Sequence, residues 1–343
     1  MKKYAFWNNK GGTGKTSLAF QAMTMYAEQN PEMKILAADL CPQANLSELL
    51  LGGLLGKGSS NLLALQQQDS LRKTVGGYFQ ERLPSPYAMP ASLKPPGFIS
   101  VPSEHNDRIP ENIDLLAGDA LVELQANSVS TLANTQIPGH DTWLRVIDWL
   151  NDFLKALSTS YDCLFVDANP SFSIYTQIAL ASSDLVILPV MADDSSRRAV
   201  QNALALVQGI DLPSPVYAEH NFASRLRAAK RQVPKFHLLP KNRLTQYMGP
   251  ASAYHSVLTS IDEIIEKVLE KTPEAFSFTS ASDGVVDIRD FQTTGVVAFA
   301  KGLPFTQLRT GGHEMPGRPN PVHIARENLE NCIEAMDTLV QKL

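Results

Sequence analysis

Near its start the chain reads "FWNNKGGTGKTS", Phe6 to Ser17, a glycine-rich turn that carries two lysines, Lys10 and Lys15. Glycines let backbone N–H groups approach an anion closely, and a helix opening at Lys15 would aim its positive dipole end at the same point. The N–H groups of Gly11, Gly12, Thr13, Gly14 and Lys15 are therefore expected to surround phosphate oxygens. Lys15 would neutralise the β- and γ-phosphates, and the Thr16 hydroxyl would coordinate Mg²⁺. The general G-x-x-x-x-G-K-[ST] pattern nevertheless fails by one residue, because Asn9 stands where its first glycine belongs. That pattern gives no role to Lys10.

A second reactive group closes the apolar run "DCLFVD", Asp162 to Asp167. A carboxylate at the end of a buried strand fits the Walker B position that holds Mg²⁺, although strands often end in Asp and Asp167 alone would be a weak signal. "KILAAD", Lys34 to Asp39, delivers another aspartate in the same way.

These groups need a scaffold. "YAFWN" (Tyr4 to Asn8) and "KILAAD" enclose a helical pattern from Lys15 to about Glu28, a βαβ unit. Further apolar runs are "NIDLLA" (Asn112 to Ala117), "DCLFVD", "DLVILPV" (Asp184 to Val190) and "KFHLLPKN" (Lys235 to Asn242). Continuous apolar strands separated by helices predict an α/β fold with a mostly parallel central sheet and helices on both faces. In such folds ligands bind at the carboxyl ends of the strands, where the loop, Asp39 and Asp167 all fall. Residues 1–343 are read as one domain with an insertion at about 53–110. Within it Leu62 to Val75 suits a helix, and Leu83 to Pro102 is too rich in proline for a helix or central strand. Phe276 to Val286, rich in serine, reads as a loop.

Composition limits the alternatives. A chain of 343 residues, 44% hydrophobic, buries one large core or two smaller ones. "MKKYAFWNN" lacks the apolar stretch of a signal peptide, so a cytoplasmic protein is expected. Cys41, Cys163 and Cys332 are too far apart for a metal motif and read as reduced thiols. A net charge of −5 leaves room for a local basic face.

Taken together, Lys10 to Thr16, "DLCPQANLS" (Asp39 to Ser47), "DCLFVDANPS" (Asp162 to Ser171), "VILPV" (Val186 to Val190) and "KNR" (Lys241 to Arg243) resemble the ParA/MinD family of deviant Walker A P-loop NTPases. The P-Q-x-N turn, Pro42 to Asn45, is similar to the ParA branch. The resemblance implies ATP and Mg²⁺ as cofactors and an ATP-bound homodimer in which Lys10 reaches the partner's nucleotide, comparable to an arginine finger. It also implies adenine contacts from Asn242 and Arg243. Members of this branch bind DNA nonspecifically and move plasmids, chromosomes or protein cargo, usually with a ParB-like partner that stimulates hydrolysis. One departure stands inside the motif: ParA-like turns read D-x-D-P-Q-x-N, with the second aspartate set to activate water, and here Cys41 occupies it. A neutral thiol is a poor acceptor, so hydrolysis is expected to be slow unless Asp39, two residues away on the same side of a strand, takes over.

For DNA, "NFASRLRAAKRQVPK" (Asn221 to Lys235), read as a helix, puts Phe222, Leu226, Ala229 and Val233 inward and Arg225, Arg227, Lys230 and Arg231 outward. Arg197 and Arg198 are further candidates for that face. Membrane attachment is not expected. The final amphipathic helix carries Glu327, Glu330, Glu334 and Asp337 on its polar side, which anionic lipid would repel. Three other classes remain open: an iron–sulfur electron carrier, which would need differently placed cysteines; an ATP-dependent amidotransferase or ligase, which would need a metabolite pocket; and a regulatory ATP switch that barely hydrolyses.

Overall fold

The computed structural model describes residues 1–67, 71–157, 159–244 and 253–343. The opening βαβ unit forms as expected, from β1 (Lys2–Phe6), α1 (Lys15–Gln29) and β2 (Ile35–Asp39). Then come α2 (Asn45–Leu50), α3 (Gly58–Gln66), α4 (Val75–Arg82), a two-residue strand β3 (Ile99–Ser100) and β4 (Ile113–Leu116). The middle of the chain adds α5 (Leu121–Asn134), α6 (Thr142–Ile147), α7 (Trp149–Lys155), β5 (Cys163–Asp167), α8 (Ile174–Ala181), β6 (Leu185–Ile187) and β7 (Val190–Met191). Beyond these lie α9 (Asp194–Gln208), α10 (Pro215–His220), α11 (Phe222–Ala228), β8 (Lys235–Leu244) and α12 (Ala253–Lys271). The last third holds α13 (Ala281–Gly284), β9 (Val285–Arg289), α14 (Gln292–Lys301), the hairpin β10 (Gly311–His313) and β11 (Val322–Ile324), and α15 (Arg326–Val340).

The main sheet runs β3-β4-β2-β5-β1-β6-β8-β7, with β9 also paired to β8. Its pairings are parallel except that of β3 with β4 at one edge. Side chains alternate across it with the two-residue period of a strand. Ala5, Leu36, Ala38, Leu164 and Val166 enter the core on one face, with Trp149, Ile178 and Phe222 from α7, α8 and α11. Tyr4, Phe6, Ile35, Ala37, Cys163 and Phe165 enter the core on the other, with Phe20 of α1, Leu50 of α2 and Met336 of α15. Helices thus cover both faces.

Several local expectations are corrected. The run Asp184 to Val190 is two strands, β6 and β7: Pro189 has no N–H for a ladder, and its carbonyl accepts a hydrogen bond from Asn8 Nδ2 at 2.7 Å. In place of one helix over Leu62 to Val75, α3 ends at Gln66 and α4 begins at Val75, where the Thr74 hydroxyl accepts from Gly77 N–H at 3.1 Å and caps a new helix. Residues 68–70 between them lie outside the described part. The segment Phe276 to Val286 is irregular only at its start, since α13 and the parallel strand β9 follow. Phe276 and Phe278 stack at 4.8 Å, and Phe276 lies 6.2 Å from Phe236 of β8, a local apolar anchor inside a serine-rich run. The proline-rich stretch behaves as its chemistry requires, contributing a short turn at Pro95–Phe98 and only an edge strand. The C-terminal helix α15 packs on α1 and β9, burying Leu329, Cys332, Met336, Leu339 and Val340. No described helix is long and apolar enough to cross a membrane.

A buried arginine fastens α4 to α7. Arg82 on α4 is fully buried; it donates to Asp152 of α7 at 3.0 Å and to the Tyr78 hydroxyl at 3.1 Å, and lies 5.4 Å over the Trp149 ring. Asp152→Ala would leave this guanidinium buried without its carboxylate, and the expected cost is about 3 kcal/mol. Chemical denaturation should show a lower midpoint; a midpoint equal to that of the wild type would mean that Tyr78 and Trp149 hold Arg82 unaided.

Candidate nucleotide site

The loop between β1 and α1 has the backbone of an anion nest. Gly12 and Gly14 sit at φ 73° and 86°, a left-handed geometry that turns successive N–H groups to one side. Gly14 caps α1. A Cβ there would fall 2.1 Å from Asn242 Nδ2, so this glycine also makes room for β8. A Cβ on Gly11 or Gly12 would meet nothing within 4 Å, so the mouth of the loop is open. The buried side chain of Asn8 fixes its entry, donating to the Pro189 carbonyl and accepting from Lys10 N–H at 2.9 Å.

The two lysines point to different partners. Lys15 is buried and donates to the Lys10 carbonyl at 3.1 Å; burial pushes its pKa down, against the pull of Asp167. Lys10 runs the other way, to Asp193 Oδ1 at 2.6 Å and Ser196 Oγ at 3.2 Å. Asp193 is at the same time the N-cap of α9, accepting from Ser196 N–H at 2.8 Å. Burial would raise its carboxyl, but hydrogen bonds from Lys10, Ser195 and Ser196 outweigh that and hold it at about 2. The sequence analysis assigned Asp193 no role, although an aspartate three residues before Ser196 at the head of a helical pattern suits an N-cap.

Asp39 and Asp167 stand opposite one another in the β2–β5 ladder, both buried. Burial lifts Asp39 to about 6, less the effect of hydrogen bonds from Ser47 and Cys41. Burial and the neighbouring Asp39 lift Asp167 to about 7, opposed by Thr16 and Lys15. The Thr16 hydroxyl donates to Asp167 Oδ2 at 2.7 Å, whereas Asp167 Oδ1 is buried without a hydrogen-bond donor. Two crowded carboxyls with an orphaned oxygen, beside a threonine hydroxyl, fit a divalent cation. Among the described residues no group of three or more His, Cys, Asp or Glu gathers to hold a metal alone.

Asp39 is already engaged. Its Oδ2 accepts from Ser47 N–H and Oγ at 2.9 and 2.8 Å, and its Oδ1 from Cys41 N–H at 3.1 Å. Ser47 also accepts from Gly118 N–H at 2.8 Å, and a Cβ on Gly118 would press on Asp39 Cγ at 2.8 Å. In this arrangement Asp39 pins the Cys41–Ser47 turn and presents no oxygen to water. Cys41 lies against Asn169, with Sγ 3.7 Å from Oδ1. Burial, with Asp39 and Asp167 nearby, pushes the thiol up to about 12.

Asn242 lies beside the loop, donating to the Thr13 carbonyl at 2.9 Å. The Arg243 side chain lies outside the described residues. A cavity of about 510 Å³ next to Gly14 and Asn242 is walled by Asp290, Phe291, Gln292, Val296 and Phe299, from the β9–α14 junction. None of these was anticipated, because the sequence reading assigned no element beyond the Phe276 to Val286 loop until the final helix.

The basic segment is shorter than a helix over Asn221 to Lys235. α11 ends at Ala228, Lys230 takes a positive φ of 57°, and β8 starts at Lys235. Phe222 and Leu226 are buried as expected, but Ala229 and Val233 are beyond the helix. The four basic residues therefore do not share one exterior. Arg227 and Lys230 are exposed, Arg231 reaches Asp148 Oδ2 at 2.6 Å, and the Arg225 guanidinium lies over Trp143 at 4.2 Å. Arg197 and Arg198 both pair with Asp194 on their own helix.

Comparison with known proteins agrees with this geometry. A family model described as an AAA domain, AAA_31, matches residues 1–213. A virulence plasmid ParA family protein of Chlamydia psittaci is 26% identical over 189 residues, 55% of this chain and 56% of that protein. An uncharacterised protein of Methanocaldococcus jannaschii is 25% identical over 205 residues, 59% of this chain and 64% of that one. The chain thus matches less than two thirds of the length of these relatives. Among solved structures, apo McdA of Cyanothece has the same fold, with a TM-score of 0.61 at 14% identity over 98% of each chain. A plasmid partition protein of Borrelia burgdorferi bound to AMPPNP gives 0.55 at 13% identity, covering 100% of this chain and 99% of that one. With the family model spanning more than half of its sequence, the chain belongs to the AAA_31 family, and it shares its fold with McdA and with the Borrelia partition protein.

Proposed function

We propose that this chain is an ATP-dependent switch of the ParA kind. ATP and Mg²⁺ bind in the loop, two ATP-bound copies associate, and the dimer holds DNA without reading its sequence, for DNA partition or cargo positioning. The observation that carries this reading is the second lysine: Lys15 turns in to the loop's own carbonyl, while Lys10 is held apart by Asp193. A cation so placed is spare for the chain's own phosphates and suited to those of a second copy. Gly11 to Lys15 would cradle the phosphates, and Asn242, with Arg243, would border the base beside the Asp290–Phe299 cavity. Mg²⁺, held by Asp167 and Thr16, would supply charge neutralisation between the β- and γ-phosphates. A P-loop protein bound to an ATP analogue, the Borrelia partition protein, supports the nucleotide assignment. A ParB-like activator and association with the nucleoid belong to the same reading.

A slower switch, without a partitioning role, is the second reading, favoured by Cys41 and by the full engagement of Asp39. A neutral thiol does not orient water as a carboxylate does. Turnover then depends on release of Asp39 from Ser47 or on a group brought by a partner.

Three outcomes are expected. In sedimentation with ATP, ADP or no nucleotide, Lys15→Ala abolishes nucleotide binding or weakens it severely. Lys10→Ala keeps binding and loses the dimer, and Asp193→Asn, which frees Lys10, raises the dimer fraction; an unchanged dimer fraction in Lys10→Ala would remove the trans role.

On unrelated duplexes, the ATP-bound protein binds with a steep salt dependence, and Arg227→Ala with Lys230→Ala lowers the slope of log K against log salt by about 2 per protomer. Equal slopes in wild type and the double variant would place the DNA face elsewhere.

In single-turnover assays the wild type hydrolyses roughly 10²-fold more slowly than Cys41→Asp. Its rate stays flat between pH 7.5 and 9.5, because a thiol at about 12 releases no proton in that window. Wild-type hydrolysis as fast as Cys41→Asp and indifferent to Asp39→Ala would sink the slow-switch reading.

A further inference from the structure

On the sheet face away from α1, a groove of about 760 Å³ opens between α5, α6, α8, α9 and the α10–α11 turn. Its floor is aromatic and rigid. Trp143 and Phe172 each meet Phe222 nearly edge-on, with centroids 6.0 and 5.7 Å apart, and Trp143 and Phe222 are buried. The Trp143 indole is itself tied down, its Nε1–H donating to Gln177 Oε1 at 3.3 Å. Side-chain amides of Asn134, Gln177 and Asn202 line the walls. One end is the phosphate loop, at Asn9, whose Oδ1 is buried without a donor, and Ser173 and Ile174 at the start of α8.

Among the described residues lining this space, Arg225 is the one arginine or lysine. The Arg225 guanidinium is spread over the Trp143 ring at 4.2 Å, an arrangement that fixes the plane of its donor fork. Asp141 is the nearest carboxylate to act on it, and does so through space, its own Oδ1 capping α6 at Leu144 N–H. Among the described residues no hydrogen bond or ion pair joins the Arg225 guanidinium to a side chain or carbonyl. A planar fork beside an apolar wall, with no second lysine or arginine lining the groove, matches one carboxylate better than a phosphate. The volume suits a molecule of metabolite size.

We propose that this groove is a second ligand site, separate from the nucleotide site, for a small, flat, apolar molecule bearing one carboxylate. The ring system lies against Phe172 and the α9 wall at Ala205 and Leu206, over the buried Trp143–Phe222 pair, and the carboxylate pairs with Arg225. Such a ligand touches the loop at Asn9 and the segment that follows Asp167, so its binding and that of nucleotide are coupled. Arg225 then serves the groove, leaving Arg227 and Lys230 as the exposed donors of the basic segment.

Isothermal titration with 2-naphthoate tests this, using neutral 2-naphthol as the uncharged control. The expected result is one saturable naphthoate site per chain, with affinity at least tenfold weaker for naphthol and at least tenfold weaker in Arg225→Met, which keeps an apolar stem over Trp143. Ala205→Trp, which fills the groove from α9 without altering Arg225, should abolish binding. Saturating MgATP should change the affinity without competing. Absence of saturable binding, equal affinity in Arg225→Met, or retained binding in Ala205→Trp would overturn the proposal. Simple competition by ATP would assign the probe to the nucleotide site, and displacement by duplex DNA would assign Arg225 to a phosphate-binding face; either result also overturns it. Neither bears on dimerisation through Lys10.

Discussion

Two carboxylates side by side at the buried ends of adjacent strands set the terms for the rest of this site. Asp39 and Asp167 repel each other where water cannot screen them, and both are driven toward the protonated form. The neighbouring structure supplies donors: Ser47 and the Cys41 N–H for Asp39, the Thr16 hydroxyl for Asp167, and the Lys15 ammonium nearby. Cys41 is best understood within this constraint. An aspartate there would be a third acidic group in the same crowded volume, whereas the thiol stays neutral. The chain gives up a water-orienting carboxylate and carries less charge repulsion before a cation arrives.

The parts of the site legible in the sequence are those made by neighbours along the chain. The β1–loop–α1 unit was readable because strand, glycines and helix follow one another within thirty residues, and Asp167 because it ends an unbroken apolar run. Lys10 was recognisable as surplus, but its partner Asp193 lies 183 residues away and is joined to it only by the crossing of β1 and β6 in the sheet. The base-side cavity was hidden for a related reason. Its wall follows β9, and the serines and glycine that precede β9 carry loop character, while its strand identity comes from pairing with β8.

The basic segment illustrates a limit of periodicity. The spacing of Phe222 and Leu226 gave the buried side of α11 correctly, yet a helical repeat cannot say where the helix stops or what each arginine meets. Lys230 adopts a left-handed backbone that ends any further turn, and Trp143 and Asp148, both upstream by about eighty residues, take up Arg225 and Arg231. Charge count in a segment therefore overstated the charge it exposes. The same holds in the insertion, where a fully buried Arg82 anchors a helix instead of solvating it.

If two copies associate through Lys10 as proposed, its bond to Asp193 enters the balance between separate and paired chains. While Asp193 holds Lys10 at 2.6 Å the ammonium is turned toward its own chain, so in the proposed dimer each copy would first give up this ion pair. If closed and open forms interchange in this way, the apparent affinity between copies is reduced by the fraction of time each is open, and the reduction enters once for each chain. A part-exposed ion pair reopens on the timescale of side-chain rotation, so it would tune how firmly two copies hold together and leave the rate of their encounter unchanged.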